Sequence, residues 1–147
     1  MGKKEKHCDP DDPADTKQGD HWDHVALDPE HRLVVSVVPG KRTTENTERL
    51  VENFKQRTGG QRMKLITSDE YAPYKTAILK AYGQKIVPSP TGKPGRPKSA
   101  DYVPAADLNY APVPNTPKHG RVVKIDFRVV FGTLAAVLAA LAASLAA

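Results

Sequence analysis

One cysteine, Cys8, stands in 147 residues. It excludes an internal disulfide and fits a reducing, cytoplasmic setting with a free thiol. Aromatic residues make up only 6% while prolines number 13, so one small domain with irregular tails is expected. The amino end has no apolar run: Lys3 to Asp20 is strongly charged, and no secretory signal is expected there. No helix-turn-helix or zinc-finger pattern occurs, so the sequence points to no particular DNA target. No internal repeat is present, and no charged residue follows Arg128.

What is present concentrates between Asp20 and Gly83. Trp22 to Leu27 and Arg32 to Val38 are β-rich runs separated by Asp28-Pro29-Glu30-His31 and closed by Pro39-Gly40, the signature of a hairpin. Thr43-Thr44 can cap a helix whose Thr47, Leu50, Val51 and Phe54 fall on one face, and Gly59-Gly60 ends it. A helix with a single apolar stripe buries it most simply on a sheet. Met63 to Ser68 reads as a further strand. Tyr71 to Tyr82 reads as a second helix, with Pro73 in its first turn and Gly83 after its end. Asp69 then lies at the carboxyl end of a strand, where open α/β sheets carry their sites.

In order and spacing, several segments together resemble the catalytic domain of bacterial insertion-sequence transposases of the Asp-Asp-Glu type. They are Gly19-Asp20-His21-Trp22, Val25-Ala26-Leu27-Asp28, Leu33-Val34-Val35-Ser36, Val38-Pro39-Gly40-Lys41-Arg42-Thr43 and Thr67-Ser68-Asp69-Glu70-Tyr71-Ala72-Pro73-Tyr74. Gly120 to Lys124 and Arg128 to Thr133 resemble the same family further along, so the likeness runs from about Gly2 to Thr133. It implies an α/β, ribonuclease H-like mixed sheet with packed helices over residues 20–131. An acidic and basic loop, 1–19, would precede this core, a flexible Pro/Gly-rich loop at about 84–101 would interrupt it, and an apolar helix, 132–147, would follow.

In that family three carboxylates hold two divalent ions, Mg²⁺ or Mn²⁺, which activate water or a DNA 3′-hydroxyl. Two metals roughly 4 Å apart stabilise the entering and leaving oxygens of an in-line displacement, and hard cations suit carboxylate oxygens. Asp69 matches the second carboxylate and is the one expected catalytic and metal-binding residue; its other reading is an N-terminal cap of the helix after it. The family's first carboxylate lies on a strand just upstream of the segment that Gly2 to Lys6 resembles, and here Met1 stands in its place. The third, a helical Glu, would follow the region like Val129 to Thr133, after which no acid remains. The implied protein is a truncated transposase, inactive alone.

Asp20 and Asp23 begin a strand adjacent to where the missing one would lie, and either could substitute. Asp9, Asp11, Asp12, Asp15 and Asp20 otherwise read as a solvated, Pro-punctuated acidic loop without the Gly and final Glu of a calcium loop. His21 and His24, three apart on a strand, point to opposite faces and are not expected to share a metal.

Net charge changes along the chain, from −3 over residues 1–24 to +3 over 25–83 and +5 over 84–128. Lys85, Lys93, Arg96, Lys98, Lys118, Arg121, Lys124 and Arg128 could neutralise DNA phosphates without base readout; their other reading is a solvated basic surface. Leu108 to Val113 reads as a short strand that Pro112 would confine to an edge. Val129 to Ala147 is 19 uncharged residues, just long enough to span a membrane, but eight are alanine. Leu134, Leu138, Leu141 and Leu145 mark a stripe, so a soluble or self-associating helix is favoured over a span. Three functions stay open: an incomplete transposase, a DNA-binding or inhibitory partner of an intact transposase, and a protein tethered to membrane by its tail.

Overall fold

Alternation in Trp22–Asp28 (β1) and Leu33–Gly40 (β2) folds the first part of the chain into an antiparallel hairpin. The structure, a computed structural model, describes residues 3–89, 92, 98–118 and 121–145. Asp28 organises the turn: its Oδ1 accepts from the backbone N–H groups of Glu30 and His31, and its Oδ2 meets His31 Nδ1 at 2.7 Å. A register shift after Ala26 sets Leu27 opposite Val34, leaving Val35 as the extra residue of a bulge.

Thr43 then caps α1 (Thr44–Arg57), its side chain accepting from Asn46 N at 3.2 Å. The helix lays Thr47, Leu50 and Val51 on the hairpin face that carries His24, Ser36 and Val38, and all six are buried. Gly59 and Gly60, at φ +64° and +75°, take the left-handed backbone that glycine adopts without strain and stop the helix. Both the hairpin and this helix lie where the sequence places them.

The chain divides into two compact units, Met1–Gly59 and Gly60–Ala147. In the second, α2 (Pro73–Tyr82) buries Ala77, Ile78 and Tyr82. Gly83 follows because any Cβ there would run into the carbonyl oxygen of Leu79. β3 (Gln84–Ile86) pairs antiparallel with β4 (Asp101–Val103), and β5 (Asn115–Lys118) with β6 (Arg121–Ile125). The ends of the segment expected to be a flexible loop are therefore strands; most of its Pro/Gly/Lys middle lies outside the described residues. The last helix is α3 (Leu134–Leu145).

The described residues thus form a mixed α/β fold of small antiparallel sheets and helices. A further β arrangement lies outside the named strands. Ile66 N donates to Asn109 O, Ala111 N to Ile66 O and Val113 N to Ser68 O, a parallel pattern. On its other side the Tyr110 segment runs antiparallel to Phe131, through Tyr110 N to Phe131 O, Val130 N to Tyr110 O and Arg128 N to Pro112 O. Pro112 is accordingly flanked on both sides and buried, where the sequence argued for an edge. The N–H it lacks would face the Arg128 side. That missing donor shortens the pairing there to a single bridge.

α3 falls within the expected helix, and its leucine stripe is open at Leu134 and Leu138, as a self-associating helix would leave it. Its fully buried residue is Val137, whereas Leu134 and Leu138 of the expected stripe are 57% and 47% exposed. At 12 residues the helix is roughly 18 Å long at about 1.5 Å per residue, well short of a bilayer core of about 30 Å. Among the described residues, no helix is long and apolar enough to cross a membrane.

Candidate functional site

Ser68 is the last residue of the parallel pairing, and Asp69 leaves it at the carboxyl end, before α2 begins. Asp69 is exposed, and its Oδ1 accepts from Tyr71 N at 3.3 Å, a turn bond within the link to α2. The helix's own N-cap is Ala72, without a side-chain bond. The capping expected of Asp69 is thus confined to the turn that leads into the helix.

Around this carboxylate the fold gathers groups that lie far apart in sequence. Ser68 Oγ donates to Asp69 O at 2.7 Å, which uses its one hydrogen; it therefore accepts from the Tyr110 hydroxyl, 2.8 Å away. Tyr110 is 2% exposed and packs against Phe131, with ring centroids 5.9 Å apart. Burial pushes its phenol above the usual range. The Ser68 bond opposes this, the Asp69 charge adds to it, and the Arg128 charge counters it. Arg128 also meets Glu70, Nη2 to Oε1, at 3.6 Å. The result is an exposed carboxylate that follows a bridged extended segment, preceded by a part-buried hydroxyl pair and followed by Glu70, which meets the Arg128 guanidinium.

Asp69 and Arg128 come from the sequence reading, whereas Ser68 and Tyr110 do not. No local pattern could have singled them out, because their bond spans 42 positions and depends on the parallel pairing.

The other candidates belong to the first unit. Asp20 and Asp23 are both exposed, Asp20 just before β1 and Asp23 opposite Pro39 in the ladder. His21 is exposed, its Nδ1 3.0 Å from Gly19 O, while His24 is buried under α1, its Nε2 3.3 Å from Lys41 O. Asp15 is not the solvated acid that its loop suggests. It is 5% exposed and accepts twice from Lys3 Nζ and once from Asp9 N. Among the described residues, no group of three or more His, Cys, Asp or Glu is placed to hold a metal ion.

Of the basic residues, Lys85, Lys98, Arg121, Lys124 and Arg128 are exposed. Lys124 pairs with Asp126 at 2.6 Å. Lys93 and Arg96 lie outside the described residues. No family model, curated protein or solved structure matches the chain.

Proposed function

We propose that the chain is a transposase-related DNA-binding domain that is catalytically incomplete by itself, with Asp69 the one carboxylate of a ribonuclease H-like metal site. The observation that carries the reading is the position of Asp69. It leaves the end of an extended segment that lies parallel to its neighbour and leads into α2, and the adjacent Glu70 meets the cation of Arg128. A strand-end carboxylate of this kind suits a hard divalent cation such as Mg²⁺ or Mn²⁺. One carboxylate cannot position two metals, so weak cation binding without phosphodiester cleavage follows. The exposed cations of the second unit would hold DNA through its phosphates, in the cytoplasm, alone or as a partner of an intact transposase.

The test is a plasmid-relaxation assay with Mg²⁺ and with Mn²⁺. No nicking is expected from the chain. Metal-dependent nicking that Asp69→Ala abolishes would overturn the incompleteness, and Asp20 and Asp23 would then be the first substitutes to replace.

A further inference from the structure

The first unit holds an aromatic ring among charges of both signs. Trp22 is the only tryptophan of the chain, opens β1 and is 49% exposed. The Arg42 guanidinium lies 5.2 Å from the centre of its ring, within the reach of a cation–π contact. Its cross-strand partner is Gly40, which has no side chain to lay over the indole. A Cβ at Gly40 would meet Asn46 Nδ2 at 2.7 Å, so that position stays bare for a second reason.

The neighbouring loop is held shut. Gly19 N donates to Lys3 O at 3.1 Å, Lys3 N to Gln18 Oε1 at 3.2 Å, and Lys3 Nζ binds the buried Asp15. Lys41 ties the same loop to the end of β2 by pairing with Glu5 at 3.2 Å. Between loop and strand is a surface cleft of about 640 Å³, lined by Lys3, Lys4, Gly19, Asp20, His21 and Trp22.

A half-exposed indole with a guanidinium over it and an ammonium at the rim has the chemistry that an unpaired nucleotide needs. The flat ring stacks on any base, and the rim cation holds a flanking phosphate. From this cleft we infer that Trp22 is a stacking platform for an unpaired base of single-stranded nucleic acid, with Lys4 the phosphate contact and Arg42 held against the ring. The Lys3 ammonium already binds Asp15 and shapes the cleft instead. Asp20 opposes the charge of the ligand and holds the affinity down. Nothing in the inference involves Asp69 or a metal; it shares with the proposed function only nucleic acid as the partner.

Because Trp22 is the only indole, its fluorescence reads the site directly. The full chain is titrated at low salt with a short oligothymidylate and with an abasic oligomer of equal length. Quenching by thymidylate is expected, with the abasic strand binding about fivefold or more weakly, the effect of losing one stacked base. In a mobility-shift assay Trp22→Phe should stay within about threefold of the parent, while Trp22→Ala loses about fivefold or more. Asp20→Asn should tighten binding about twofold at low salt, as removal of a like charge does. Unchanged melting of the variants confirms that each is folded. Equal quenching by both oligomers would overturn the platform, leaving charge alone as the cause. A mobility shift without quenching would overturn it too, yet leave DNA binding by the second unit standing.

Discussion

His31 and Asp28 set the pH response of the hairpin turn from opposite sides. The hydrogen bond to Asp28 raises the imidazole above its ordinary value of 6.5, and the same bond lowers the Asp28 carboxyl below 3.8. The histidine's contribution is complete below its unfolded value and is lost as pH rises through the raised one. The aspartate's is complete above its unfolded value and is lost as pH falls through the lowered one. The turn is therefore firmest between the two, from above the carboxylate range to the raised imidazole value. An NMR titration should find His31 above 6.5, and Asp28→Asn should return it toward that value; an unchanged titration would show that the pair does not form.

Asp15 behaves like Asp28, held low first by the Lys3 hydrogen bond and then by the Asp9 amide, so acid should open loop 3–19. Hydrogen exchange at the Asp9 and Gly19 amides, compared with Asp15→Asn at neutral pH, would check this. Little of it is legible in the sequence. Asp15 is one of several acids in a charged, proline-rich stretch, and only the return of Lys3 sets it apart. Before Asp69 the expected strand, Met63 to Ser68, is only a lone bridge at Ile66, whereas the expected helix behind it forms as α2.

At the scale of elements, legibility follows length and periodicity. α1 shows its cap, its stripe and its glycine stop in consecutive residues, and its bounds match. β3 and β4 are three residues each, and β3 is exposed throughout, so no alternation marks them. β5 contains Pro117, and the pairing at Tyr110 is interrupted by Pro112; both prolines argue locally against strands that long-range pairing nonetheless supports.

Leu50, 3% exposed between α1 and the hairpin, should cost about 2–5 kcal/mol when changed to alanine, measured by urea unfolding. In α3 the fully buried residue is Val137, so Val137→Ala should lower the melting temperature, whereas Leu138→Lys should leave it unchanged and reduce self-association in sedimentation runs. A fall in melting with Leu138→Lys would mean that its face is covered after all.

The whole chain has a net charge of +5, and its exposed cations in the second unit share their surroundings with Asp126 and Glu70. Binding to duplex DNA should be independent of sequence and salt-sensitive. The slope of log affinity against log salt should be about −3 to −5, from about −0.9 per phosphate neutralised. A footprint that survives physiological salt would reveal base readout that no element of the chain suggests.

If Asp69 holds a divalent cation as proposed, Mn²⁺ should broaden the amide NMR signals around it. Loss of the Ser68, Glu70, Tyr71 and Tyr110 signals at low Mn²⁺, with recovery in Asp69→Asn, is the expected result. Broadening confined to the Asp9–Asp15 loop, or unchanged in Asp69→Asn, would contradict it.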